Sequence, residues 1–170
     1  MRKTLDFLYL SAAALAALFM IGLLAMVLLS IVSRQLHFNV PGIDAYAGYL
    51  MAGAGFLALA HTLKRGEHIR VTLVLQHLPP GAQRWLERWA MGVGAVLALL
   101  FAWYSVRLVL QSHEFHDIST GNDATPLWLP QLGMALGTVI LAIAFVDELV
   151  LVLQRRRRAL PADGEFTRNE

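Results

Sequence analysis

Four long apolar runs dominate the chain: Phe7 to Ser33, Ala45 to Leu63, Trp89 to Val106 and Ala124 to Val146, separated by stretches that carry the charges. A helix needs about 20 mainly apolar residues to cross a hydrocarbon core of about 30 Å, and each run meets that length or comes close to it. Lipid offers no partners to backbone N–H and C=O groups, so such runs must satisfy them internally. They lack the polar alternation of a barrel strand and are predicted as α-helices. The expected fold class is an all-α integral membrane protein. Its four-helix membrane domain covers 1–154, with transmembrane helices at about 8–33, 44–64, 86–108 and 126–153, and a basic, then disordered tail covers 155–170. Pro161, Gly164 and mixed charges suit a solvated end.

Two segments need separate treatment. Ile69 to Leu78 is too apolar to float in water yet, at ten residues, too short to cross. A short interfacial helix between spans two and three, over about 67–79, is therefore expected, ending at the Pro79-Pro80-Gly81 break. The first run begins after Arg2-Lys3 as a signal peptide would. Its 27 uncharged residues exceed the usual apolar region of 7 to about 15, so a retained span is expected.

Composition agrees with a lipid solvent: 57% of residues are hydrophobic, 15% are charged and the mean hydropathy is +0.56. Cysteine is absent, which excludes disulfides, thiolate metal sites and thiol nucleophiles in the chain. The pI near 9.3 does not point to nucleic acid, because the basic residues gather beside apolar runs rather than along a stripe with interleaved aromatics.

Positively charged loops are retained in the cytoplasm, and the 14 lysines and arginines divide unevenly. With both termini cytoplasmic, only Arg34 and Arg107 fall outside, and the outer loop before the fourth span is acidic, with Glu114, Asp117 and Asp123. Trp103, Tyr104 and Trp128 then mark the outer boundary, and Phe7, Tyr9, Trp85 and Trp89 the inner one.

Several groupings could carry function. Arg34 and Asp44 fall at the same outer boundary, where they either clamp two helices, meet a partner, or snorkel separately into water. The run Lys64-Arg65-Gly66-Glu67-His68-Ile69-Arg70 reads first as an orientation signal with a glycine turn. Its alternative is recognition, with Glu67, His68 and Arg70 capping a helix or binding lipid phosphate or a partner carboxylate. His113 and His116 form an isolated pair, short of the usual ligand count for a metal, so no metal or cofactor is expected. Small residues align on one face of each later span: Gly48, Ala52 and Gly55; Gly94, Ala98 and Ala102; and Gly133 with Gly137. Such faces let helices approach closely where the hydrophobic effect cannot drive association, whether within the chain or against a second protein. Asp147 and Glu148 are expected to pair with Arg155 to Arg158 or with a partner.

The pattern resembles the small membrane (DctQ-type) subunit of tripartite ATP-independent periplasmic (TRAP) transporters over roughly Ser11 to Leu153. The resemblance rests on Ser33-Arg34-Gln35-Leu36-His37-Phe38-Asn39, an acid at the start of span two, Gly66-Glu67-His68-Ile69-Arg70-Val71, the Leu78-Pro79-Pro80 break, and Thr125-Pro126-Leu127-Trp128-Leu129-Pro130 followed by Gly133. It implies a non-catalytic subunit in the bacterial inner membrane. Its implied partners are a large DctM-type membrane subunit that carries substrate and sodium, and a DctP-type periplasmic solute-binding protein. The implied cargo is an organic acid.

Two other classes are weaker. A self-sufficient multidrug or ion transporter needs an acid or broken helix in mid-membrane, and the first three spans carry no such acid. A haem or redox protein needs imidazoles facing each other across the helices, whereas these lie at span ends or in loops.

Overall fold

The computed structural model describes residues 2–65, 79–121 and 123–153. Four helices account for most of them: α1 (Arg2–Gln35), α2 (Ile43–Arg65), α3 (Pro80–Glu114) and α4 (Trp128–Leu153). All four are long and apolar enough to cross a membrane, and no strand forms among the described residues. The expected interfacial helix and the tail at 155–170 fall outside the described residues, apart from Pro79.

Helix bounds follow local chemistry. Pro79 is extended and serves as the N-cap of α3, with Pro80 in its first turn, where a missing N–H costs nothing. The prolines expected only to end a preceding element thus begin α3, six residues before the predicted start at 86. Conversely, α4 starts at Trp128 rather than 126, because Leu127 N–H donates to the Asp117 carbonyl at 2.9 Å and holds that stretch in the loop. α1 and α3, at 34 and 35 residues, reach about 50 Å and exceed the hydrocarbon thickness. α2 and α4 are shorter, at 23 and 26 residues.

The helices alternate in direction, so residues 36–42 and 115–127 share one end of the molecule, called here the hairpin end. The start of α1, the end of α2, the start of α3 and the end of α4 share the other, the terminal end. Across the molecule the order is α1, α2, α4, α3: each packs broadly on the next, while α1 meets α4 only narrowly. One core joins Tyr9, Ala12 and Ala16 of α1, Leu57, Ala60 and Leu63 of α2, and Ile140, Leu141 and Ala144 of α4. A second joins Ala98 and Ala102 of α3 to Ala142 of α4. Only 6% of the apolar window of α1 is buried within the chain, against 39% for α4, so α1 is a flank and α4 an interior element.

Small residues set these contacts. A Cβ on Gly137 would lie 2.5 Å from the Phe56 carbonyl carbon, and one on Gly133 would lie 3.3 Å from Gly53 Cα. α4 therefore rests on the backbone of α2. Gly94 faces the Phe145 ring in the same way, which joins α3 to α4. Two of the three expected small-residue faces are consumed within the chain. The third is not: among the described residues a Cβ on Gly48 or Gly55 would meet nothing within 4 Å, and Ala52 is exposed.

Candidate functional site

Polar chemistry concentrates at the hairpin end, where the α3–α4 loop folds onto the first two turns of α2. Tyr46 and Tyr49 sit three residues apart, so a helix presents both on one side. The loop is closed by Ser119 N–H donating to the Thr125 carbonyl at 2.8 Å. Ser119 Oγ donates to Asp123 Oδ1 at 2.8 Å, and Tyr49 Oη lies 3.0 Å from Asp123 Oδ2 and 2.9 Å from Ser119 Oγ. Thr125 Oγ1 and Tyr46 Oη lie 3.2 Å apart, within hydrogen-bond reach. Partial desolvation opposes the Asp123 charge, but hydrogen bonds from Ser119, Thr125, Tyr49 and the backbone outweigh it and hold the carboxyl down at about 2. Gly42 completes the joint. Its φ of +78° suits glycine, and an added Cβ would fall 2.5 Å from Asp123 Cβ.

Two histidines do backbone work here. His37 and His116 both take left-handed conformations, with φ of 55° and 54°. Phe38 N–H reaches back to the Ser33 carbonyl at 3.1 Å, and Asp117 N–H to the Ser112 carbonyl at 3.0 Å, so each histidine closes a helix in the six-to-one pattern usually given to glycine. The His116 ring stacks near His113 at 6.5 Å, and His113 meets the edge of Trp128 at 5.4 Å. Among the described residues no group of three or more metal-ligating side chains forms.

The sequence-singled residues are distributed unevenly. Arg34 and Asp44 line the same grooves between α1 and α2 at the hairpin end, but they make no ion pair with each other. Trp128 and Pro130 occupy the first turn of α4 and are half-buried, Trp128 meeting His113 of the last turn of α3. Gly133 and Gly137 lie in the α2–α4 seam, well away from the loop. Gly66, Glu67, His68 and Arg70 lie outside the described residues.

At the terminal end, Lys64 pairs with Asp6 and sits 4.6 Å above the Tyr9 ring. Tyr9 is thus a core residue, only 2% exposed, rather than the lipid-facing boundary aromatic its position suggests. Asp147 and Glu148 of α4, like Asp6, lie close enough to act electrostatically on Tyr9, at the same end of the molecule. Their expected partners, Arg155 to Arg158, lie outside the described residues.

Neither Tyr46 and Tyr49 nor the Lys64–Asp6 pair was singled out from sequence. The three-residue tyrosine spacing beside an acid-bearing loop was the available signal for the first; nothing local marks Asp6 as the partner of a lysine 58 residues away.

Spanning helices in an alternating row, capped at one end by a polar joint, define an α-helical polytopic membrane protein. The chain belongs to the family described as tripartite ATP-independent periplasmic transporters, DctQ component, whose model matches residues 23–155. These transporters are built from the DctQ component together with DctM and DctP components. No curated protein matches the chain.

Proposed function

We propose that this chain is the non-catalytic small membrane subunit of its transporter. It enlarges and steadies the large substrate- and sodium-carrying membrane subunit, and it helps a periplasmic solute-binding protein dock, for uptake of an organic acid. The chain lies in the bacterial inner membrane with both termini cytoplasmic, as the distribution of lysine and arginine favours. The hairpin end then faces the periplasm.

The observation that carries this reading is the unused small-residue surface. Beside the open Gly48–Ala52–Gly55 face, Ala13, Ala17, Gly55 and Ala58 line a groove of about 350 Å³ between α1 and α2 with almost no polar surface. In a membrane such a surface suits the close approach of a further helix. Support for the docking role comes from the hairpin end, where hydrogen bonds among Tyr46, Tyr49, Ser119, Asp123 and Thr125 hold a polar cap over α2. Gly66, Glu67, His68 and Arg70 are proposed as a contact with the large subunit or with lipid phosphate, on their sequence alone.

Reconstitution of the transporter in proteoliposomes with and without this chain tests the role. Uptake that needs the chain, with substrate preference unchanged by Arg34 or His68 variants, is expected. A substrate preference altered by either variant contradicts a scaffold.

A further inference from the structure

At the hairpin end α1 and α2 enclose two adjoining grooves. The narrower, about 220 Å³, is walled by Met26, Val27 and Ile31 of α1 and Ala47 of α2. The wider, about 570 Å³, adds the polar loop residues His37 and Asn39. Ser30, Arg34 and Asp44 line both, so a charged chamber opens directly into an apolar slot. We infer that this composite site holds a phospholipid with a zwitterionic, N–H-bearing headgroup, of the phosphatidylethanolamine class, its phosphate on Arg34 and its ammonium on Asp44.

The charges argue for the headgroup. Arg34 and Asp44 line one chamber without pairing with each other, so each side chain is open to a ligand. A guanidinium fork matches two phosphate oxygens, and the Ser30 hydroxyl beside it supplies a further donor. A carboxylate can only accept, so Asp44 selects a group that donates. A headgroup with phosphate alone leaves Asp44 facing an anion. A choline headgroup is cationic but has no N–H to give. Phosphoethanolamine has both the anion and the donating cation, spaced within one headgroup.

The slot argues for a lipid rather than a soluble phosphoethanolamine. From Arg34 back to Met26 is eight residues of helix, about 12 Å down the membrane axis, and the α1 side chains that line the slot below Arg34 are apolar apart from Ser30. Val27 and Ile31 along it are 44% and 53% exposed, a surface that an acyl chain covers. The site needs no choice of topology, since it lies in whichever leaflet surrounds the hairpin end, and it does not depend on the subunit's role.

Native mass spectrometry of the full-length chain tests this. After delipidation in detergent, the chain is titrated with phosphatidylethanolamine, phosphatidylcholine and phosphatidylglycerol of identical acyl chains. Wild type is expected to retain phosphatidylethanolamine in preference to the other two. Asp44→Asn should erase most of its advantage over phosphatidylcholine, about tenfold for a lost charge-assisted hydrogen bond, and Arg34→Gln should weaken all three by about as much. Arg34→Lys should keep the order. Water-soluble glycerophosphoethanolamine should fail to displace the lipid. Equal retention of the three lipids, a preference for phosphatidylglycerol, or displacement by the soluble headgroup overturns the proposal and leaves the chamber to a protein side chain or a soluble anion. The wild-type lipid order is read without any variant, so a misfolded variant cannot hide the answer.

Discussion

Gly137 of α4 rests directly on the backbone of Phe56 of α2, so closely that an added Cβ would lie 2.6 Å from the Phe56 carbonyl oxygen. Backbone cannot step aside as a flexible side chain can. Gly137→Ala should therefore force α2 and α4 apart and destabilise the fold by about 1–3 kcal/mol, the range for overpacking a tight contact. Gly48→Ala and Gly55→Ala, with open space at both positions, should leave it within about 0.5 kcal/mol. Thermal unfolding of the three variants in detergent separates the classes.

The same open positions separate folding from assembly. If the large subunit's helices seat on this face, Gly55→Leu should leave the unfolding transition of the isolated chain almost unchanged while lowering the yield of the purified complex. Parallel measurement of both quantities checks this.

Asp123 links pH to the hairpin end. Its carboxyl is lowered from the ordinary 3.8 to about 2 by its hydrogen bonds, so its contribution is fully present above about pH 4. It is lost as pH falls from there through about 2. The protection of the Ser119 and Leu127 amides against hydrogen exchange, measured relative to their intrinsic rates, should fall across that window, since both are held by loop backbone bonds. Asp123→Asn should show lower protection at neutral pH and lose the change in protection between about pH 4 and about 2. Tyr49→Phe should fall between the two.

Tyr9 tests the terminal end. Its ring is buried but its hydroxyl has no hydrogen-bond partner among the described residues, so Tyr9→Phe should be neutral or slightly stabilising, whereas Tyr9→Ala should cost about 3–5 kcal/mol. Asp6→Asn removes an ion pair whose side chains are 34% and 59% exposed, and should cost no more than about 1 kcal/mol. Unfolding measurements on the three variants give the ranking.

The four spans were legible because lipid imposes a length and polarity rule on every crossing segment, and that rule is written in consecutive residues. The choice of neighbours was not. Gly133 and Gly137 announced a close contact, but that its other half is Gly53 and Phe56 rather than the Gly48–Gly55 face depends on how α2 is rotated, which small residues on both of its sides leave open. His116 was weighed only as half of an isolated imidazole pair and His37 only as part of a loop motif, while the left-handed backbone of both has no local mark beyond falling just after a helix. Arg34 and Asp44 line the same grooves, but their proximity along the sequence does not decide between pairing and sharing a chamber. The Asp123 joint needed the α3–α4 loop to fold over α2, a contact spanning 74 residues.

Topology has a direct readout because the chain contains no native cysteine. Thr120→Cys in the α3–α4 loop should react with a membrane-impermeant maleimide added to intact spheroplasts. Gln83→Cys at the start of α3 should react only after the membrane is opened. The reverse pattern inverts the proposed orientation.

Affinity purification of the tagged full-length chain from its native membrane, with mass-spectrometric identification and quantification of what accompanies it, tests the subunit assignment most directly. The account predicts a larger polytopic membrane protein at equal stoichiometry. A chain that purifies alone and transports solute by itself in sealed vesicles contradicts it.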